Sequence, residues 1–409
     1  MRRLTTPLVR CALVLGLLTA PVACEKPERD KVTIMVPWSG TEFKAFYAVV
    51  KDFERDHDVD VEPQVTRALT QQLDAAVAAD AEPDLAVLPS VGAIAEYREE
   101  GALRKLDVDT DAYAQPFRGL GMNGGDVYAV PVKADVKSLV WYDARVTPRP
   151  PGNWTALRSR SDTWCLGLES GPTSGWPGAD WIADILLADE GVGPYTAWAS
   201  GDTRWDKEPV KEAWTTWGDI VAGARKDAAT FNFRAAAEKM TRRQCSLSHG
   251  ALSAMAFEPA QVKDEGYTYV PSSREVLQVS ADFVGKFTGN ESADEFIEYL
   301  ASARAQQAWV NEPGFALSAD NEVTEYDNAT QGRIAALFRS PGHTLCFSAA
   351  DAMDPDVSAA FYRAVLNFTN GRRLLPLLAA LDRVQEQFGY ARPPSSPPPG
   401  PLCSHPDRP

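Results

Sequence analysis

From Lys31 to Pro37 the chain reads KVTIMVP, β-branched and apolar and closed by proline, which predicts a buried strand. After the turn Trp38-Ser39-Gly40-Thr41, apolar side chains recur at Phe43, Phe46, Tyr47, Val50 and Phe53, the spacing of one helix face, so residues 41–56 are expected to be helical. Asp58 to Thr66 alternates as a strand, 68–80 is helical, Asp84 to Leu88 is a short apolar strand and 91–100 is helical again. Three strand–helix units in succession predict a parallel sheet covered by helices on both faces. Such sheets bind ligands on the loops beyond the strand ends, here Trp38–Glu42 and Pro89–Gly92.

Farther along, Val127–Val132 and Ser138–Tyr142 read as strands flanking Lys133-Ala134-Asp135. The prolines of residues 147–152 predict a rigid linker. One strand at 164–168 leads into a mainly helical region that runs to about residue 245, and residues 245–257 turn through Ser246, Ser248, His249 and Gly250. Strand character returns at Tyr267–Val270 and Val276–Asp282, followed by helices at about 292–310, 328–338, 355–370 and 372–388. The stretch Pro393–Pro409, PPSSPPPGPLCSHPDRP, has too little apolar content for a core and is expected to be extended or disordered.

Composition adds three points. At 409 residues the chain exceeds the size of a single core, and its net charge of -15 argues against a nucleic-acid partner. Eleven tryptophans are many for this length; buried packing and stacking on a sugar ring are both open explanations. The N-terminus pairs Arg2, Arg3 and Arg10 with an uncharged run from Cys11 to Cys24, the pattern of a secretory signal and too short for a spanning helix. It ends Pro21-Val22-Ala23-Cys24, similar to a bacterial lipobox in which Cys24 carries the lipid, although Pro21 stands where leucine is usual. Cleavage after Ala23 with plain secretion is the alternative. Export permits disulfides. Cys165, Cys245, Cys346 and Cys403 remain after the signal, they allow three pairings, and none has metal-site spacing.

In order, VTIMVPWSGTEFKAFYAVVKDFE (32–54), YAVPVKADVKSLVWYD (128–143), CLGLESGPTSGWPGADWIADILL (165–187), SADFVGKFT (280–288), ADEFIEYLASARAQQAWV (293–310) and CFSAADAMDPDVSAAFY (346–362) resemble segments of one family. It is that of the extracellular solute-binding proteins of bacterial carbohydrate ABC importers. The resemblance implies an α/β, two-lobe periplasmic-binding-protein-like fold with a ligand cleft between the lobes. It implies a signal peptide at 1–23, a tether at 24–30, a first lobe of 31–136 plus 280–327, a second of 137–279 plus 328–390, and a proline-rich disordered tail at 391–409. It further implies a monomeric, non-catalytic receptor with no cofactor or metal. That receptor would be anchored by lipid at the outer face of the cytoplasmic membrane, would bind a sugar or oligosaccharide and would deliver it to permease subunits.

Sugars offer CH faces to aromatic rings and hydroxyls to carboxylates and amides. On that chemistry the candidate ligand residues are Trp38, Ser39, Glu42, Ser90, Lys133, Asp135, Glu169, Ser170, Trp176, His249, Asp282 and Asp351. Each has a plainer reading. Glu42 suits a helix N-terminus, Asp351 suits an N-cap, and a lone His249 suits a structural hydrogen bond. Trp164 and Trp181 are expected in the core and Trp176 on the loop. The family often has Gly-Gly-Asp where this chain has Ser280-Ala281-Asp282, and a glycine soon after the proline where it has Pro89-Ser90-Val91-Gly92. Cys165 and Cys245 flank strands expected in the second lobe, which favours their pairing and leaves Cys346 for Cys403. Two other functions stay open: an exported glycan-active enzyme, which needs two carboxylates at fixed separation, and a degenerate receptor that senses ligand or scaffolds a surface complex. Nucleophile, metal and phosphate-loop motifs are missing from the sequence.

Overall fold

The strands, in chain order, are β1 (Asp30–Val36), β2 (Val59–Val65), β3 (Leu85–Leu88), β4 (Met122–Asn123), β5 (Asp126–Val127), β6 (Ala129–Val136), β7 (Leu139–Asp143), β8 (Leu247–His249), β9 (Tyr267–Pro271), β10 (Val276–Lys286), β11 (Thr344–Phe347) and β12 (Cys403–Ser404). They come from a computed structural model that describes residues 29–147, 163–224, 226–389 and 400–405. The signal, Cys24, most of the 24–30 tether and most of the 147–152 linker lie outside the described residues.

One seven-stranded sheet runs β12-β11-β10-β3-β1-β2, with β6 paired to β10. β1 lies parallel to β2 and β3, as three strand–helix units require, and β10 lies parallel to β11. β10 is antiparallel to both β3 and β6, so the sheet is mixed rather than parallel throughout. The reason is connectivity: β10 re-enters the first lobe after the chain has built the second. That second lobe carries a three-stranded antiparallel sheet, β8-β7-β9, beneath the helices Trp176–Glu190, Glu208–Ile220 and Pro355–Thr369.

Burial explains the tryptophans. Trp164, Trp181, Trp198, Trp205, Trp214 and Trp217 all belong to the buried cluster of the second lobe, where Trp198, Trp205 and Trp214 pack around Phe361. Trp38, Trp141 and Trp309 are buried in the larger cluster around the seven-stranded sheet. Among the described residues, Trp176 is the tryptophan that stays half-exposed.

Several elements differ from expectation. Lys133 and Asp135 lie inside β6, because strand pairing to β10 continues through Val136. The stretch expected as a strand at 164–168 instead makes an isolated bridge at Trp164, with another just beyond it at Glu169. The helix expected at 292–310 is two, Glu291–Ala301 and Ala303–Val310, divided at Ser302, whose hydroxyl accepts from the Ala305 amide. Residues 328–338 place Ile334 and Phe338 in the larger cluster. Cys165 is bonded to Cys245 and Cys346 to Cys403. The second bond fixes part of the proline-rich tail: Cys403 and Ser404 form β12 on β11, and Gly400 donates to the Gly119 carbonyl at 3.1 Å. No helix among the described residues is long and apolar enough to cross a membrane.

Candidate functional site: the interlobe cleft

The floor of the cleft follows from strand register. In β6, Lys133 and Asp135 are two residues apart and so share a face. In β10, Asp282 stands opposite Lys133 and Ser280 opposite Asp135, and the register shifts immediately after Asp282. That local kink in the ladder is the kind that re-aims side chains. The Lys133 ammonium meets Glu42 at 3.2 Å, Asp135 at 3.2 Å and Asp282 at 3.5 Å. Burial alone would push this ammonium toward neutrality, but Asp135, Glu42 and Asp282 reverse the effect and its pKa ends raised. Lys133 is therefore charged. Burial raises the Asp135 carboxyl, and Lys133 and the Ser253 hydroxyl oppose that rise.

A second buried ammonium lies at the crossing between lobes. Lys137 bonds Asp180 at 2.9 Å and Asp351 at 2.8 Å, and its nitrogen is 5.8 Å from the centre of the Trp176 ring. Burial pushes the Asp180 carboxyl up to about 6; Lys137 pulls it down and the charge on Asp351 adds to the rise. The second lobe contributes the aromatic wall. Trp176 meets Phe233 edge-on with centroids 5.1 Å apart, and Tyr362 sends its hydroxyl to Asp351 at 3.5 Å. The local fold dictates this placement. Gly175, at φ 109°, precedes the helix Trp176–Glu190, and a Cβ there would sit 2.2 Å from the Tyr362 carbonyl oxygen.

These groups surround a cavity of about 230 Å³. Of the expected residues, Trp38, Glu42, Lys133, Asp135, Ser170, Trp176, Asp282 and Asp351 line it. Trp38 does so differently from the stacking platform expected. Its ring is 3 % exposed, packs between Phe46 and Trp309, and its Nε1 donates to Asp282 at 2.8 Å, so it orients a carboxylate instead. Four expected residues are not among those lining the cavity, and their side chains have other partners. Ser39 accepts from Arg67 at 3.2 Å beside the cavity. Ser90 caps the helix Val91–Glu99 and donates to the Asp351 carbonyl at 3.1 Å. Glu169 accepts from the Gly171 amide and the Asn232 side chain, both at 2.8 Å. His249 stacks on Trp181 with rings 4.9 Å apart and bonds buried Asp184 at 2.8 Å. The N-cap role foreseen for Asp351 falls to Ser348, whose hydroxyl accepts from the Asp351 amide.

Arg67, Lys137, Phe233, Arg234, Ser253 and Tyr362, which are not among the candidates from sequence, also line the cavity. Phe233 and Arg234 open the helix Phe233–Thr241, capped by Asn232. An Asn cap before a Phe-Arg pair was the available signal, but nothing in the spacing tied that helix to the cleft.

A cavity between two α/β lobes, floored by the strand that connects them, defines a two-lobe ligand receptor. The chain belongs to the bacterial extracellular solute-binding protein family, whose sequence pattern matches residues 37–307. It is similar to the osmoprotective compounds-binding protein GgtB of Synechocystis sp., with 24% identity over 412 aligned positions covering 92% of this chain and 98% of that one. The α-glucosides-binding periplasmic protein AglE of Rhizobium meliloti is 27% identical over 87% of both chains. In fold the chain is similar to a chitin oligosaccharide binding protein, at TM-score 0.72 and 15% identity over 88% of this chain and 99% of the other. The GacH receptor of Streptomyces glaucescens superposes with TM-score 0.67 and 16% identity over 89% of this chain and 100% of the other.

Proposed function

We propose that the protein binds a sugar or oligosaccharide in the interlobe cleft, without transforming it, and delivers it to an ABC importer. The observation that carries this reading is the facing of an aromatic wall, Trp176, Phe233 and Tyr362, against the carboxylates Glu42, Asp135, Asp282 and Asp351 around one cavity. Rings cover the CH faces of a sugar and carboxylates accept its hydroxyl protons. The α-glucosides named for AglE support the same class. Glycan hydrolysis asks for a protonated acid opposite a free carboxylate. Here Glu42, Asp135 and Asp282 share Lys133, and Asp351 is held by Lys137. With the N-terminal reading, the receptor is exported and anchored by lipid on Cys24 at the outer face of the cytoplasmic membrane, and with the family resemblance it is monomeric.

The test is a thermal-shift panel of mono- and oligosaccharides on the mature protein. A ligand at 100 times its Kd adds about 2.7 kcal/mol to the native state and raises the midpoint. No shift with any sugar contradicts the proposal, and release of reducing ends from a glycan supports the enzyme instead.

A further inference from the structure

Two connections cross the cleft on one flank. Glu42, in the first turn of the helix Thr41–Asp56 of the first lobe, accepts from the guanidinium of Arg234, in the first turn of the Phe233–Thr241 helix of the second. Beside this pair, Arg67 reaches from the loop after β2 toward the second lobe. Its guanidinium carbon is 6.0 Å from the centre of the Phe233 ring, and that of Arg234 is 5.6 Å from the same centre. A Cβ on Gly171, at φ +60°, would stand 4.0 Å from the Arg67 Cβ, so the turn of the second lobe meets Arg67 with no side chain between them. Arg67, Phe233, Arg234 and Glu42 thus form one wall built from both lobes.

The hydrogen-bonding capacity of the cleft is unevenly committed. Lys133 answers three carboxylates, Lys137 two, and Arg234 is paired with Glu42. Among the described residues Arg67 donates one hydrogen bond, to the Ser39 hydroxyl at 3.2 Å, and its side chain lines the cavity. Among the described residues the buried Nε of Arg234 has no hydrogen-bond partner. Guanidinium donors suit the paired hydroxyls at the rim of a sugar ring. The cavity, about 230 Å³, is smaller than the roughly 300–1,000 Å³ of sites that enclose drug-sized ligands.

We propose that the Arg67–Phe233–Arg234–Glu42 wall is a stop that limits the ligand to one or two sugar rings, with Arg67 and Arg234 donating to the hydroxyls of the terminal ring. The inference rests on the sugar-binding reading and deepens it: the substrate class is a mono- or disaccharide-sized glycoside rather than a long oligosaccharide. A chain extended past the terminal ring meets the two guanidiniums and the Glu42–Arg234 pair, and must separate that cross-cleft pair to continue. Its two charges are partly desolvated, so parting them without replacement is costly.

The experiment is calorimetric titration of the mature protein with glucose, maltose, maltotriose and maltotetraose, and with glucose, cellobiose, cellotriose and cellotetraose. Wild type, Arg67→Ala and Arg234→Ala are compared, with circular dichroism confirming that each variant is folded. The stop predicts that in the series that binds, the one- or two-ring member is at least tenfold tighter than the three- and four-ring members. It also predicts that at least one variant narrows that ratio fivefold or more. Equal or tighter binding of the longer members by wild type overturns the stop and leaves the sugar reading standing, as does a length ratio unchanged in both folded variants. Absence of binding by every member, in either linkage, overturns the stop, whereas the sugar reading falls only if the whole thermal-shift panel also gives no shift.

Discussion

Lys133 shows how much one side chain carries. It is buried, charged and shared by Glu42, Asp135 and Asp282, so its removal leaves Asp135 and Asp282 without that cation in a poorly solvated floor and Glu42 with Arg234 alone. Breaking a buried ion pair from one side costs roughly 3–5 kcal/mol, and Lys133→Met should lower the urea midpoint by a corresponding amount. A midpoint within error of wild type would mean that the carboxylates find solvent or other partners. Residue type and position together made Lys133, Asp135 and Asp282 visible in the sequence, because charges on strands in an otherwise apolar run need a reason. His249 was equally visible and does something else: its imidazole is spent on Asp184 and Trp181. Arg67 and Arg234 escaped notice because arginines on surface-like segments are common. Only the approach of two lobes, a contact more than a hundred residues long in sequence, gives them a shared site.

At the scale of elements, the early strand–helix units were legible because each carries its own period, and the observed helix Thr41–Asp56 matches the span expected from its apolar face. β6 runs past the strand expected at Val127–Val132, because tertiary pairing to β10 overrides the local signal of the charged Lys133 and Asp135. The start of the Trp176–Glu190 helix depends on Gly175. Gly175→Ala places a methyl against the Tyr362 carbonyl in a left-handed backbone, so it should destabilise by more than about 1 kcal/mol and displace Trp176. Thermal unfolding and ligand titration should both report the change, and a variant that unfolds and binds like wild type would refute it. The other element-level test concerns the tail. Cys346–Cys403 spans 57 residues, and in the chain-entropy view it contributes about 4 kcal/mol. Cys403→Ser should lose much of this in urea unfolding under oxidising conditions, whereas both proteins should behave alike after reduction.

For the whole molecule, acidic residues gather in a seam where Glu96 of the helix Val91–Glu99 comes near Asp354 and Asp356. Glu96, although exposed on its helix, is pushed up to about 7, first by partial desolvation and then by Asp354, Glu100, Asp74 and Asp356, a shift that solvent screening weakens. A carboxyl raised in this way contributes stability that is fully present below its ordinary value of 4.5 and is lost as pH rises through about 7. Glu96→Gln removes the titration, so its melting temperature should equal or exceed that of wild type by a margin that grows from pH 5 to pH 8. A margin that is constant across this range would show that Glu96 ionises freely. The seam, the crossing at Lys137 and the cross-cleft pair all involve residues from distant parts of the chain, which is why two-lobe architecture entered the sequence reading through family resemblance and not through periodicity. The central claim is that a sugar sits between the lobes against Trp176. Calorimetric titration of the sugar giving the largest thermal shift, into wild type and Trp176→Ala, tests it most directly. The account predicts at least tenfold weaker binding by a variant whose melting temperature without ligand is nearly unchanged, since this ring is half-exposed. Equal affinity in the two proteins would contradict it.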